Sequence, residues 1–458
     1  MKRYWVIGLV LIVLLALPLM AACGEEETET TTTAAVTETT AGATETTAGA
    51  TETTAGGETP TTVGGPVTLY LGGTFALTGA YAEDCAAVLA GFEDYTKWVN
   101  ENHILAPWYT DRTIPGNITF ELLWGDDALA PDKTVTIYED LKSKGLLVER
   151  ISGTPQTMAL KDLLIEDQIG ATCQTAAPAA LLPPGNIFLK NPILTDSLAG
   201  AADWFLESWA DTSRKPRVAL LTADSALGRN LDIPEMYAYL EEIGYEYVGA
   251  QFVPQPATAP PTTQLSWLKE NNVDLTLGAA VNPTTQPTIK EAVRLGMGPD
   301  QPYKITFCFG EPGHLQIMVP DMGAMANGTV VSGDMCAWED KVDGVAFANM
   351  LQDTYRPNNR NTNIMYLDGI VEAMTQVEAL RLASLETNPA ALTSVDVLQK
   401  GFWQIKDFNT GGICANNLTY GEGDPQGIEM VRIQQVQDGK IVDLGSRPIK
   451  RNILPAAK

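Results

Sequence analysis

The chain has 458 residues, 56 acidic and 30 basic, for a formal net charge of −26. That balance excludes the basic footprint nucleic acid requires and suits neither an anionic membrane face nor a polyanionic ligand. Two histidines, and six cysteines without a Cys-x-x-Cys pair, argue against a metal site, and no phosphate loop or other cofactor motif is present.

The N-terminus sets the compartment. Lys2 and Arg3 precede an apolar run from Val6 to Met20, and Ala21, Ala22 and Cys23 close it. A charged start, a short apolar centre and small residues describe a secretory signal, too short to span a bilayer. The segment resembles a bacterial lipoprotein signal, with Met20 where Leu is usual. The resemblance implies that residues 1–22 are removed and that Cys23 is lipidated and becomes the N-terminus. Residues 23–65 are almost entirely Thr, Glu, Ala and Gly, and Thr-Glu-Thr-Thr-Ala-Gly recurs from Thr37, Thr44 and Thr51. They offer too few apolar side chains to offset ordering, so a flexible acidic tether is expected. No later stretch approaches twenty apolar residues. The mature protein is therefore expected outside the cytoplasm, anchored to the cell membrane through Cys23 without spanning it.

From Pro66 onward the pattern alternates, with 48 acidic against 28 basic residues. Val67 to Phe75 reads as a strand and Ala82 to Asn102 as a helix, with Val88, Phe92, Tyr95 and Val99 at helical spacing. Strand Ile118 to Trp124, helix Asp132 to Lys144, strand Leu146 to Ile151, helix Thr157 to Asp167 and strand Ile169 to Cys173 follow. A second series runs through helix Leu198 to Ala210, strand Arg217 to Thr222, helix Leu231 to Ile243 and strand Tyr245 to Val253. It continues with helix Thr263 to Asn271, strand Asp274 to Leu277, helix Thr285 to Leu295 and strand Tyr303 to Phe309. Two such series imply an α/β protein with two doubly wound parallel-sheet lobes facing one cleft.

The motifs along these elements are Phe75-Ala-Leu-Thr-Gly-Ala-Tyr-Ala82, Gly125-Asp-Asp-Ala-Leu-Ala-Pro-Asp132, Ser152-Gly-Thr-Pro-Gln-Thr157, Asp224-Ser-Ala-Leu-Gly228, Gly310-Glu-Pro312, Tyr366-Leu-Asp-Gly369 and Thr419-Tyr420 to Gly427. In this order the chain resembles the type I periplasmic solute-binding proteins of branched-chain amino acid ABC transporters. The resemblance implies two lobes joined by a hinge, 66–192 plus 336–424 and 193–335 plus 425–458. It implies a ligand site at Thr78, Asp84, Ser152, Gly153, Thr154, Thr175, Ala176, Leu227, Asn282 and Glu311. Ser152 and Thr154 would cap a carboxylate with the N–H groups of the following helix. Thr175 and Ala176 would offer a hydroxyl and a carbonyl, and Glu311 would receive an ammonium. Ser152 and Thr154 also fit an ordinary helix cap, and Glu311 a solvated loop acid.

Departures from the family pattern weaken leucine or valine specificity. Leu227 stands where Tyr or Phe is usual, Ala176 where leucine binders carry Thr, and Cys85 where glycine is common; Asn282 or Val281 fills another common aromatic position. An amino acid, an amide, a urea-like molecule or a small organic acid all remain open as ligand. Asp126, Asp127 and Asp132 are expected to hold a turn rather than a metal. Among the remaining cysteines, Cys308 and Cys336, at the ends of strand-like runs, are the expected disulfide pair. With no Gly-x-Ser-x-Gly elbow and no His-Glu-x-x-His, an enzyme is not expected, although paired carboxylates alone can serve a glycosidase. The expected role is to carry a small solute to an ABC permease; a sensing receptor of the same fold is the alternative.

Overall fold

The computed structural model describes residues 65–79, 81–310 and 314–449; the signal segment, Cys23, most of the tether and Glu311 lie outside them. Five parallel strands build the first sheet. They are β1 (Val67–Phe75), β2 (Ile118–Asp126), β3 (Val148–Ile151), β4 (Gly170–Cys173) and β5 (Ile187–Phe188). Ladder pairing runs β2-β1 and β3-β4-β5, and a parallel bridge between Tyr70 of β1 and Leu146, two residues before β3, sets the two pieces side by side in the order β2-β1-β3-β4-β5. The second sheet holds β6 (Arg217–Asp224), β7 (Glu246–Pro254), β8 (Leu275–Gly278), β9 (Thr306–Phe309), β10 (Val330–Gly333), β11 (Met430–Gln437) and β12 (Lys440–Pro448). Its order is β7-β6-β8-β9-β10-β11-β12, parallel up to β10 and closed by an antiparallel hairpin. Each sheet therefore reverses its winding beside its first strand, at β1–β3 and at β6–β8. Loops after strand ends at such reversals leave a crevice.

Both sheets are covered on both faces, as side-chain alternation requires. In β6, Val218 and Leu220 face one apolar cluster while Ala219 and Leu221 face another. In β9, Cys308 joins the first of these and Phe307 and Phe309 the second. On the first sheet, Leu69, Leu71 and Phe75 pack against the helices Ala82–Asn102 and Met365–Glu386. The opposite face takes Tyr138, Leu160 and Leu164 from the helices Pro131–Ser143 and Thr154–Glu166. The two long helices meet backbone to backbone. A Cβ on Gly369 would lie 2.1 Å from the Val88 carbonyl oxygen, and one on Gly91 would lie 2.3 Å from that of Tyr366. Glycine at both positions is what lets them approach.

The chain crosses between sheets more than once. It leaves β5 through Lys190 for the helix Leu194–Glu207, returns after β10 through Asp334, and passes back to β11 beyond Gln426, which bridges Leu189. The expected Cys308–Cys336 bond is not formed. Cys308 lies inside β9, under the second sheet, and Cys336 lies beyond β10 in the core of the first. All five cysteines in the described residues are buried free thiols.

Candidate functional site

The loops at the carboxyl ends of both sheets enclose a cavity of about 190 Å³. The first sheet contributes Leu129 after β2, Ser152 to Gln156 after β3, and Gln174 and Thr175 after β4; Tyr81 lies on the rim before the helix Ala82–Asn102. The second contributes Ser225 to Leu227 after β6, Gln255 after β7 and Val281 after β8. The crevice thus opens at both winding reversals at once. None of these lining side chains carries a charge.

The segment after β3 is the most built part. Gly153, with extended φ of −162°, caps the helix Thr154–Glu166, and its carbonyl accepts from the Thr157 N–H and hydroxyl. Pro155 in the first turn sacrifices only an N–H that the helix leaves unpaired anyway. Ser152, fully buried, donates its hydroxyl to the Thr74 carbonyl at 3.0 Å and accepts from Arg150 Nη1 at 3.3 Å. Its side chain is committed to the protein. The Thr154 and Thr175 hydroxyls are 2.6 Å apart, and Thr175 Oγ1 also accepts from the Ala177 N–H at 3.1 Å. Two hydroxyls sharing one hydrogen bond leave one O–H hydrogen for another acceptor.

Other sequence-expected residues sit elsewhere. Thr78 is exposed and donates to Asp126 Oδ2 at 2.7 Å. Asp126 also accepts from the Leu77 and Ala128 N–H groups, and these bonds outweigh its slight burial and hold it below the usual carboxylate range. Asp127 accepts from the Leu129 N–H and Thr134. Both aspartates hold the turn, as their spacing implied. Asp84 faces Asn363, whose Nδ2 donates to it at 2.7 Å; burial raises it above its ordinary range against that bond. Neither Thr78 nor Asp84 lines the cavity. Ala176 is buried just behind the wall, its carbonyl taken by the Leu194 N–H at 2.8 Å. Asn282 follows Val281 as the first residue of the helix Asn282–Arg294; its buried Oδ1 has no partner. Leu227 does line the cavity and packs against the apolar clusters of both sheets.

Sequence reasoning missed three glutamines. Gln174 Nε2 donates to Asp368 Oδ2 at 3.1 Å, and its Oε1 accepts from the Cys85 thiol at 3.6 Å. Gln156 and Gln255 line opposite walls. Two of the three stood within or beside positions the sequence did mark: Gln156 lies within Ser152-Gly-Thr-Pro-Gln-Thr157, and Gln174 immediately precedes Thr175.

Two parallel, doubly wound sheets with one crevice between their strand ends define a two-sheet solute-binding fold. The sequence profile of the periplasmic binding protein family matches residues 68–440, and the chain belongs to that family. Among solved structures, it is similar to a branched-chain amino acid ABC transporter protein from Thermus thermophilus with bound valine, at 21% identity. That alignment covers 85% of this chain and 98% of the other, with a TM-score of 0.73. A substrate-binding protein from Aeropyrum pernix aligns at 15% identity over 84% of this chain and 97% of its own, with a TM-score of 0.71. A solute-binding protein from Rhodopseudomonas palustris BisB5, in complex with 3,4-dihydroxy benzoic acid, aligns at 17% identity over 84% and 99%, with a TM-score of 0.65. At these identities the likeness concerns the fold. No curated protein matches the sequence.

Proposed function

We propose that this chain is the extracytoplasmic receptor of an ABC importer, binding one small polar solute between two lobes and presenting it to a permease. The observation that carries the reading is the uncharged, hydrogen-bonding cavity formed jointly by the strand ends of both sheets. The crossings at Lys190, Asp334 and Gln426 support a division into 66–192 plus 336–424 and 193–335 plus 425–458, with those crossings as the hinge. Closure then follows from contacts that exist only when both walls meet the solute. Binding needs no bond to break. Relatives of this fold bound to valine and to a hydroxylated benzoate support a solute of that size. Glu311, two residues beyond β9, is assigned as an acceptor for an ammonium or N–H group of the solute.

The full chain, unfolded and refolded to shed any carried ligand, is expected to melt higher with at least one member of a panel of amino acids, amides, urea and aromatic acids. Ligand at a hundred times its Kd adds about 2.7 kcal/mol. No shift with any member would remove the receptor reading. Cys23 is assigned as the lipid-bearing residue; Cys23→Ser is expected to move the protein from the membrane pellet to the soluble fraction, and a variant that still pellets would remove the anchor.

A further inference from the structure

The solute reading is the premise here, and the walls say more about the solute. Gln156 is fully buried in the first turn of the helix Thr154–Glu166, and neither its Oε1 nor its Nε2 has a hydrogen-bond partner. Gln255 Oε1, on the facing wall, is also buried and unpaired. Native interiors seldom leave an amide unmatched at both ends, and each instance calls for a reason. Because Gln156 lines the cavity and both of its amide atoms lack a partner, the assignment of O and N does not alter the argument.

We propose that the cavity selects solutes ending in a carboxamide or urea edge, which pairs in plane with Gln156. The solute carbonyl accepts from Gln156 Nε2 while its N–H donates to Gln156 Oε1. Its second N–H finds an acceptor in Gln255 Oε1. The remaining hydroxyl hydrogen of the Thr154–Thr175 pair is a further donor for the carbonyl. The rest of the solute packs on Leu129, Leu227 and Val281. A carboxylate fits worse for two reasons. It has no hydrogen for Gln156 Oε1, so two acceptors oppose each other. No cationic side chain among the described lining residues neutralises it. A site with a committed donor and acceptor rejects an analogue lacking one of the two groups.

Gly153 supplies an independent handle. A Cβ there would lie 2.9 Å from Gln156 Oε1, the mobile end of a side chain, and its φ of −162° suits any residue. Gly153→Ala therefore re-aims the amide without straining the backbone.

Calorimetric titration of the full chain, freed of carried ligand, with matched pairs tests this: isobutyramide against isobutyrate, benzamide against benzoate, and valine as a general probe of the pocket. Each amide is expected to bind about tenfold or more tighter than its acid. Gln156→Leu is expected to lose that preference while melting at or above the parent temperature, since an unpaired buried amide is removed. Gly153→Ala is expected to weaken the amides several-fold with an unchanged melting temperature. Tighter binding of the acids or of valine overturns the amide assignment and leaves the receptor reading standing. A Gln156→Leu or Gly153→Ala variant that binds amides like the parent also overturns it. No binding in any arm overturns both readings.

Discussion

Lys190→Met is expected to lower the folding stability by about 3–5 kcal/mol, the penalty for leaving buried charges without their counter-ion. Lys190 lies on the first crossing between the sheets, only 5% exposed. Its ammonium is 3.6 Å from Asp334 Oδ2, on the second crossing, and is ion-paired with Asp368 of the helix Met365–Glu386. Burial disfavours the ammonium, but the two carboxylates outweigh it and hold Lys190 well above the usual lysine range, so it stays charged. Burial pushes Asp334 up, against the pull of Lys190. Without the ammonium that pull is gone, and the variant's folded state holds a proton there that the unfolded chain releases. The deficit should therefore grow as pH rises through the raised value and shrink in acid. Lys190→Met/Asp334→Asn should recover part of the loss at neutral pH. Asp368 also accepts from Gln174, so the same substitution should loosen one wall of the cavity and weaken solute binding. A denaturation midpoint unchanged from the parent would mean that the cluster does not hold the crossings together.

The sequence made some of this architecture plain and hid the rest, for physical reasons. Val67–Phe75 and Ala82–Asn102 have the bounds their apolar spacing implied. The helix at Thr154 begins three residues before its apolar pattern does, since Gly153 and Pro155 rather than apolar spacing start it. The helix Met365–Glu386 left little periodic trace. It is buried nearly all round, with Asp368, Glu372, Gln376 and Glu378 inside along with its apolar residues. Its partners lie far away in sequence; Arg150, for one, is 222 positions from Glu372. Such pairings leave no local signal. In the cavity, Ser152, Gly153, Thr154 and Leu227 were legible through their motifs and Thr175 through the family resemblance, and all five line it. Thr78 and Asp84 were legible in the same way but are drawn off by Asp126 and Asn363. The glutamines were hidden because glutamine is ordinarily a surface residue. Only burial without a partner singles out Gln156.

Arg150→Met should cost as much as the Lys190 change, about 3–5 kcal/mol, and should reach the cavity more directly. Arg150 is fully buried one strand position before Ser152's neighbour Ile151. Its Nε is 3.0 Å from Glu372 Oε2, its Nη1 donates to the Thr74 carbonyl at 2.9 Å, and its guanidinium lies 4.7 Å from the Phe75 ring centre. Removing it strands Glu372 and frees Ser152, so lowered stability and weakened binding should appear together. Yet the pair is imperfectly matched: Arg150 Nη2 and Glu372 Oε1 are buried without partners. Replacing both, as Arg150→Met/Glu372→Leu, should therefore restore most of the stability that the single change loses. Burial pushes Glu372 up to about 7, against the charge of Arg150, and pushes Glu149 well above the carboxylate range. An acid raised in the folded state favours folding while both states hold the proton. That contribution fades as pH climbs from the ordinary 4.5 through the folded value. Acids with hydrogen-bonded or paired carboxylates, such as Glu291, held down to about 2 by Arg294, act oppositely and lose their contribution below the ordinary range. Stability should accordingly peak near about pH 5 and decline toward pH 8. Glu149→Gln, which can bury no charge, should flatten the alkaline side, as read by denaturation midpoints at both pH values. A parent profile that rises from pH 5 to pH 8 would show that these buried acids are ionised without cost.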